Sequence, residues 1–122
     1  WGQALGNVRF EDGLVWTQVT LEGKAEIGYT AKGDAAVVSQ LTAIDGTEVA
    51  VSFVERANSE VKISWRSLNG IDVADIARSF GGGGHQAAAG ASMYGTNLDR
   101  AQDVVLERTR DAMHKYRTNL TS

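Results

Sequence analysis

Residues 81–84 are four consecutive glycines, followed at once by His85, and no other stretch constrains the chain as tightly. Each glycine held in an ordered structure costs roughly 0.5–1 kcal/mol relative to alanine, against about 5–15 kcal/mol of stability for a whole domain. A folded domain keeps such a run where the backbone must turn through φ > 0, or where another group must approach the backbone N–H bonds closely. The second use would make an anion nest, with His85 beside it as a donor to phosphate in either protonation state. Ala87, Ala88, Ala89 and Gly90 keep the next turn slim, so the stretch reads as a loop entering a tightly packed element. A flexible linker is the alternative, and it would be flanked by polar, Ser-rich sequence.

The flank is instead apolar at helical spacing. Val73, Ile76, Ala77 and Phe80 fall at i, i+3, i+4 and i+7, the stripe of a packed helix. Asp72 suits its N-cap and Gly81 its C′ position.

Upstream, residues 8–10 and 14–20 read as a hairpin about the turn Glu11-Asp12-Gly13. Residues 23–33 read as loop, and Asp34 caps a helix through Ile44 with Val37, Val38, Leu41 and Ile44 on one face, ended by Gly46. A second hairpin follows, with Val49, Val51 and Phe53 facing Val61, Ile63 and Trp65. Its alternation puts Lys62, Ser64 and Arg66 together on the opposite face, where a basic residue is either solvated surface or a ligand contact. Residues 91–94 are short enough for one more strand. Thr96 with Asp99 resembles a capping box, opening an amphipathic helix of about 20 residues on which Leu98, Ala101, Val105, Ala112 and Tyr116 recur and His114 is solvated. The expected fold is α/β, one domain over residues 1–122, with a mixed β-sheet of about five strands flanked by about three helices.

Composition narrows the chemistry. At 122 residues and 43% hydrophobic the chain makes one core. It has no cysteine, hence no disulfide framework or thiolate site, as suits a reducing cytoplasm. No apolar run is long enough for a membrane span and no signal peptide opens the chain, so a soluble, cytoplasmic domain with no membrane partner is expected. A net charge of −3 argues against a broad basic surface coating long nucleic acid, while leaving room for a local site for one or two phosphates. With two histidines far apart and no Asp-His-His tripeptide, the sequence offers no cluster of metal ligands. The start at Trp1, without an initiator methionine, reads as a piece of a longer chain.

Ile71-Asp72-Val73, then Phe80 with the glycines and His85, then Ala88-Ala89-Gly90, resembles the signature of the C-terminal DHH-associated domain, type one, of DHH phosphoesterases. Within that superfamily it is most similar to bacterial nano-RNases and exopolyphosphatase-related proteins. The resemblance covers residues 13–116, with a bulky Trp65 as a departure from the pattern. It implies that manganese and the catalytic centre belong to an N-terminal DHH domain outside this sequence, and that this chain has no catalytic residue of its own. It further implies that Arg66, Ser67, Gly82, Gly83, Gly84 and His85 grip a nucleotide or terminal phosphate. The ligand class is then a short single-stranded nucleic acid or nucleotide, or inorganic polyphosphate, and the parent is a manganese-dependent phosphoesterase. The contrasting expectation is a structural or regulatory module whose glycine loop packs against a partner domain.

Overall fold

Val49, Val51 and Phe53 alternate with Ala50, Ser52 and Val54, and all six are fully buried. A strand buried on both faces must lie inside a layered structure. In a computed structural model describing residues 8–21 and 33–121, this strand, β3 (Val49–Arg56), sits third in a six-stranded sheet. Its companions are β1 (Arg9–Glu11), β2 (Leu14–Val19), β4 (Glu60–Ser67), β5 (Gly83–His85) and β6 (Ala88–Tyr94), in the order β1-β2-β3-β4-β6-β5. Only β2 and β3 run parallel, so the sheet is mixed.

The two faces are covered unequally. On one, Val51, Phe53, Ile63 and Trp65 pack against α2 (Val73–Arg78) and α3 (Leu98–Thr121) in the main core. Trp65 is wholly buried there. Its indole N–H donates to Thr109 Oγ1 at 3.1 Å, and its ring stacks on Phe80 at 6.2 Å, so its bulk serves the core. On the other face, α1 (Gly33–Leu41) sets Val37, Val38 and Leu41 against Val15, Val19, Ala50 and Val54. Thr17 Oγ1 and Ser52 Oγ, opposite one another in register on this face, are buried without a hydrogen-bond partner among the described residues.

Both hairpins and all three helices lie where the periodicity places them, with instructive differences. The sheet has six strands rather than about five, because Gly83–His85 is an edge strand and not a loop. The expected strand at 91–94 is the second half of β6, which begins at Ala88. Helix α1 stops at Leu41, and the turn to Ile44 is closed by i to i−3 bonds, including Ile44 N–H to the Leu41 carbonyl at 3.2 Å. The loop expected over 23–33 and the capping side chain of Asp34 lie outside the described residues, apart from Gly33, which opens α1. Helix α3 is capped by Asn97, whose Oδ1 accepts from Arg100 N–H at 2.9 Å, not by Thr96. An amide at that position reaches the first-turn N–H directly. Among the described residues no helix is long and apolar enough to cross a membrane.

Candidate functional site

Helix α1 packs over β2 and β3 and reaches β4, and among the described residues no helix covers β6 and β5 on that side of the sheet. The result is an open trough of about 480 Å³. Its floor is Ser64, Gly83, Gly84, Ala88, Ala89 and Gly90, its apolar wall Val38, and its charged groups Arg56, Lys62 and Arg66. Among the described residues no acidic side chain lines it. Among the described residues no carboxylate pairs with Lys62 or Arg66. A protein of net charge −3 thus has a positive hollow, whose low-dielectric walls focus the field on an anion.

The register fixes which side chains share it. Arg66 pairs with Ala88, and Ala88 with His85. These three form one rung across β4, β6 and β5, projecting from the face opposite Trp65. Arg66 and His85 are separated by two strand spacings, roughly 10 Å between Cα atoms, with only a methyl group between them. Arg66 is half-buried and His85 exposed. A tetrahedral anion lowered onto Ala88 would meet a planar guanidinium on one side and an imidazole on the other.

The hairpin that presents His85 is anchored at its turn. Gln86 and Ala87 close it, and their carbonyls accept from Val73 N–H at 3.0 Å and Ser67 N–H at 2.9 Å. Asp72 caps α2, its Oδ1 accepting from Ala74 N–H at 2.9 Å and Asp75 N–H at 3.2 Å. The start of α2 and the end of β4 therefore hold the turn from two directions.

Each glycine of the run has its own situation. Gly81, at φ +81, closes α2. Its N–H donates to Arg78 and that of Gly82 to Ala77, the bond pair of a Schellman ending. A β-carbon on Gly82 would collide with the Gly90 carbonyl oxygen and with Ala91. Gly84 combines φ +147 with a β-carbon position 2.6 Å from the Ala88 oxygen. Gly83 has neither a positive φ nor any neighbour within 4 Å of a β-carbon. The successive N–H groups do not form a nest: two serve the helix end, and in a paired strand alternate residues turn toward the partner.

Of the residues singled out from the sequence, the structure brings Arg66, Gly83, Gly84 and His85 to the bare half of the sheet. Gly82 lies beneath it as a packing residue. Ser67 points to the other face, is buried, and donates from Oγ to Asn69 Oδ1 at 3.3 Å, so it does not join Arg66. Lys62 and Ser64 carried a sequence signal through their alternation with Arg66. Arg56, at the end of β3, carried none. The described residues include no group of three or more His, Asp or Glu placed to hold a metal ion, so they do not offer the ligand set manganese would need.

A family model described as the DHHA1 domain matches residues 15–111. The Thermus thermophilus bifunctional oligoribonuclease and PAP phosphatase NrnA is 35% identical over 114 residues, 92% of this chain and 33% of that protein. The Mycoplasma genitalium protein of the same name is 46% identical over 70 residues, 57% of this chain and 21% of that protein. The chain thus spans a third or less of the length of these curated relatives. Among solved structures, an exopolyphosphatase-related protein from Bacteroides fragilis superposes with a TM-score of 0.76 at 23% identity, over 99% of this chain and 35% of that one. At that identity the likeness speaks for the fold.

Proposed function

Because the chain belongs to the DHHA1 domain family, we propose that it is the substrate-holding part of a DHH-family phosphoesterase, gripping a phosphate of a short oligonucleotide or nucleotide. Hydrolysis is assigned to a DHH domain of the same parent chain, together with the manganese expected there. The observation that carries this reading is the rung of Arg66, Ala88 and His85 on a bare, cationic half-sheet. Arg66 supplies a two-pronged, charge-assisted contact, His85 a directional hydrogen bond, and Ala88 the room for the phosphate to descend between them. Holding the ligand here fixes its position against a catalytic group across the cleft, which is where such a domain contributes to rate. The two bacterial relatives, each named as an oligoribonuclease and PAP phosphatase, support this ligand class.

A second reading draws on the glycine run. It is a structural or regulatory module whose glycine loop packs against a partner domain and never touches phosphate, and it is compatible with Gly81, Gly82 and Gly84 each having a torsional or packing reason to be glycine that involves no ligand. Titrating a 5′-phosphorylated dinucleotide into the full-length protein and its Arg66→Ala and His85→Ala variants separates the two. Each substitution is expected to weaken binding by about 1.5–3 kcal/mol, roughly ten- to a hundred-fold, with the melting temperature nearly unchanged because Arg66 lines the open trough and His85 is exposed. Wild-type affinity in both variants would contradict the phosphate assignment and leave the packing reading.

A further inference from the structure

The rung of Arg66, Ala88 and His85 is the last pair of both ladders that carry it. Strand pairing holds it from one side only, and the end of a ladder frays unless something beyond it is tied down. Beyond it lie the turn Gln86-Ala87 and the loop 68–72 between β4 and α2. Ser67 N–H donates to the Ala87 carbonyl at 2.9 Å, Val73 N–H to that of Gln86 at 3.0 Å, and the Gln86 side-chain amide to the Gly70 carbonyl at 2.5 Å. The turn is thus bonded to the loop and to both of its ends.

One side chain gathers that loop. Asn69 Oδ1 accepts from Ser67 Oγ at 3.3 Å and from Ile71 N–H at 3.2 Å, its Nδ2 donates to Glu48 Oε1 at 2.9 Å, and its main-chain carbonyl accepts from the Tyr116 hydroxyl at 2.7 Å. The Ile71 N–H can only donate and the Glu48 carboxylate only accept, so the amide faces one way. Arg117 donates to Glu48 Oε2 at 2.8 Å, which ties the loop to the start of β3 and to the last turns of α3 together. A carboxylate in place of Asn69 would lack the donor and oppose Glu48 as a like charge, and an apolar residue would leave both partners unmatched.

We propose that Asn69 is a positioning residue for the phosphate contact, setting the loop against the turn so that Arg66 and His85 stand at the spacing one phosphate bridges. This rests on the reading of that rung as the phosphate clamp. Asn69 is not among the residues lining the trough. It acts through Ser67, the neighbour of Arg66, and through Gly70 and Ile71, which meet the turn beside His85. A two-pronged guanidinium contact is sensitive to a small displacement because both N–H bonds must align at once.

The test titrates a 5′-phosphorylated dinucleotide into the full-length protein and its Asn69→Asp, Asn69→Ala, Arg66→Ala and doubly substituted Asn69→Asp, Glu48→Gln variants. Each is titrated below its melting temperature, with amide hydrogen exchange followed at Ser67 and Val73. Asn69→Asp is expected to lose about ten-fold in affinity, with both amides exchanging faster than in wild type. Adding Glu48→Gln returns a donor and the wild-type net charge, and should restore affinity to within about two-fold and slow both amides again. Asn69→Ala adds no charge and should lose affinity likewise, which supplies the measurement if the two carboxylates prevent folding. Wild-type affinity in the Asn69 variants with a lowered melting temperature, or a loss that Glu48→Gln fails to repair, would overturn the inference. If Arg66→Ala weakens binding while the Asn69 variants do not, the clamp stands without this residue. Wild-type binding in Arg66→Ala would overturn the clamp itself and the inference with it.

Discussion

At the scale of single residues, the glycine run serves three different purposes. Gly81 turns the end of α2 through positive φ, Gly82 and Gly84 let β5 lie against β6, and Gly83 leaves the trough floor bare. Alanine at each position should report these separately. Gly82→Ala forces backbone apart and should cost about 1–3 kcal/mol, as overpacking does. Gly84→Ala adds a strained torsion worth about the same. Gly83→Ala should leave the stability within about 0.5 kcal/mol of wild type and still weaken dinucleotide binding several-fold. Melting curves with titrations check this, and a Gly83→Ala variant that binds normally would mean no ligand approaches that floor. The role of Gly81 was legible because it follows a helical stripe ending at Phe80. The roles of Gly82 and Gly84 were not, since they depend on Gly90 and Ala88, which only the folded hairpin brings close.

At the scale of elements, the sequence was readable wherever side chains alternate or recur. The β3 and β4 hairpin and the stripes of α2 and α3 follow from periods of 2 and 3.6. Strand β5 escaped because Gly-Gly-His has no β-propensity. It is a strand only because β6 offers a partner and the turn is tied to Val73 and Ser67. Asp72 matters twice over, capping α2 and steadying the residue next to the Val73 N–H that holds that turn. Asp72→Ala should cost about 0.5–2 kcal/mol, seen as a melting temperature lower by several degrees. An unchanged midpoint would mean the helix start does not depend on this cap.

At the scale of the molecule, the trough exists because, among the described residues, one face of a mixed sheet is only partly covered. Two helices close the Trp65 face, while α1 covers β2 and β3, reaches β4 and, among the described residues, leaves β6 and β5 uncovered. Alternation in the sequence already set Arg66 apart from Trp65. The same alternation puts Ser67 on the Trp65 side, whereas it could not show that His85 lies across a single methyl group from Arg66, because strand order is a tertiary fact. The most direct test of the central claim is a map of amide chemical shifts on the isotopically labelled 122-residue chain as a 5′-phosphorylated dinucleotide is added. Shifts are expected only at residues 62–66 and 83–90, and Arg66→Ala should abolish them. Shifts centred on α2 and α3 instead, or the same map in Arg66→Ala as in wild type, would contradict it.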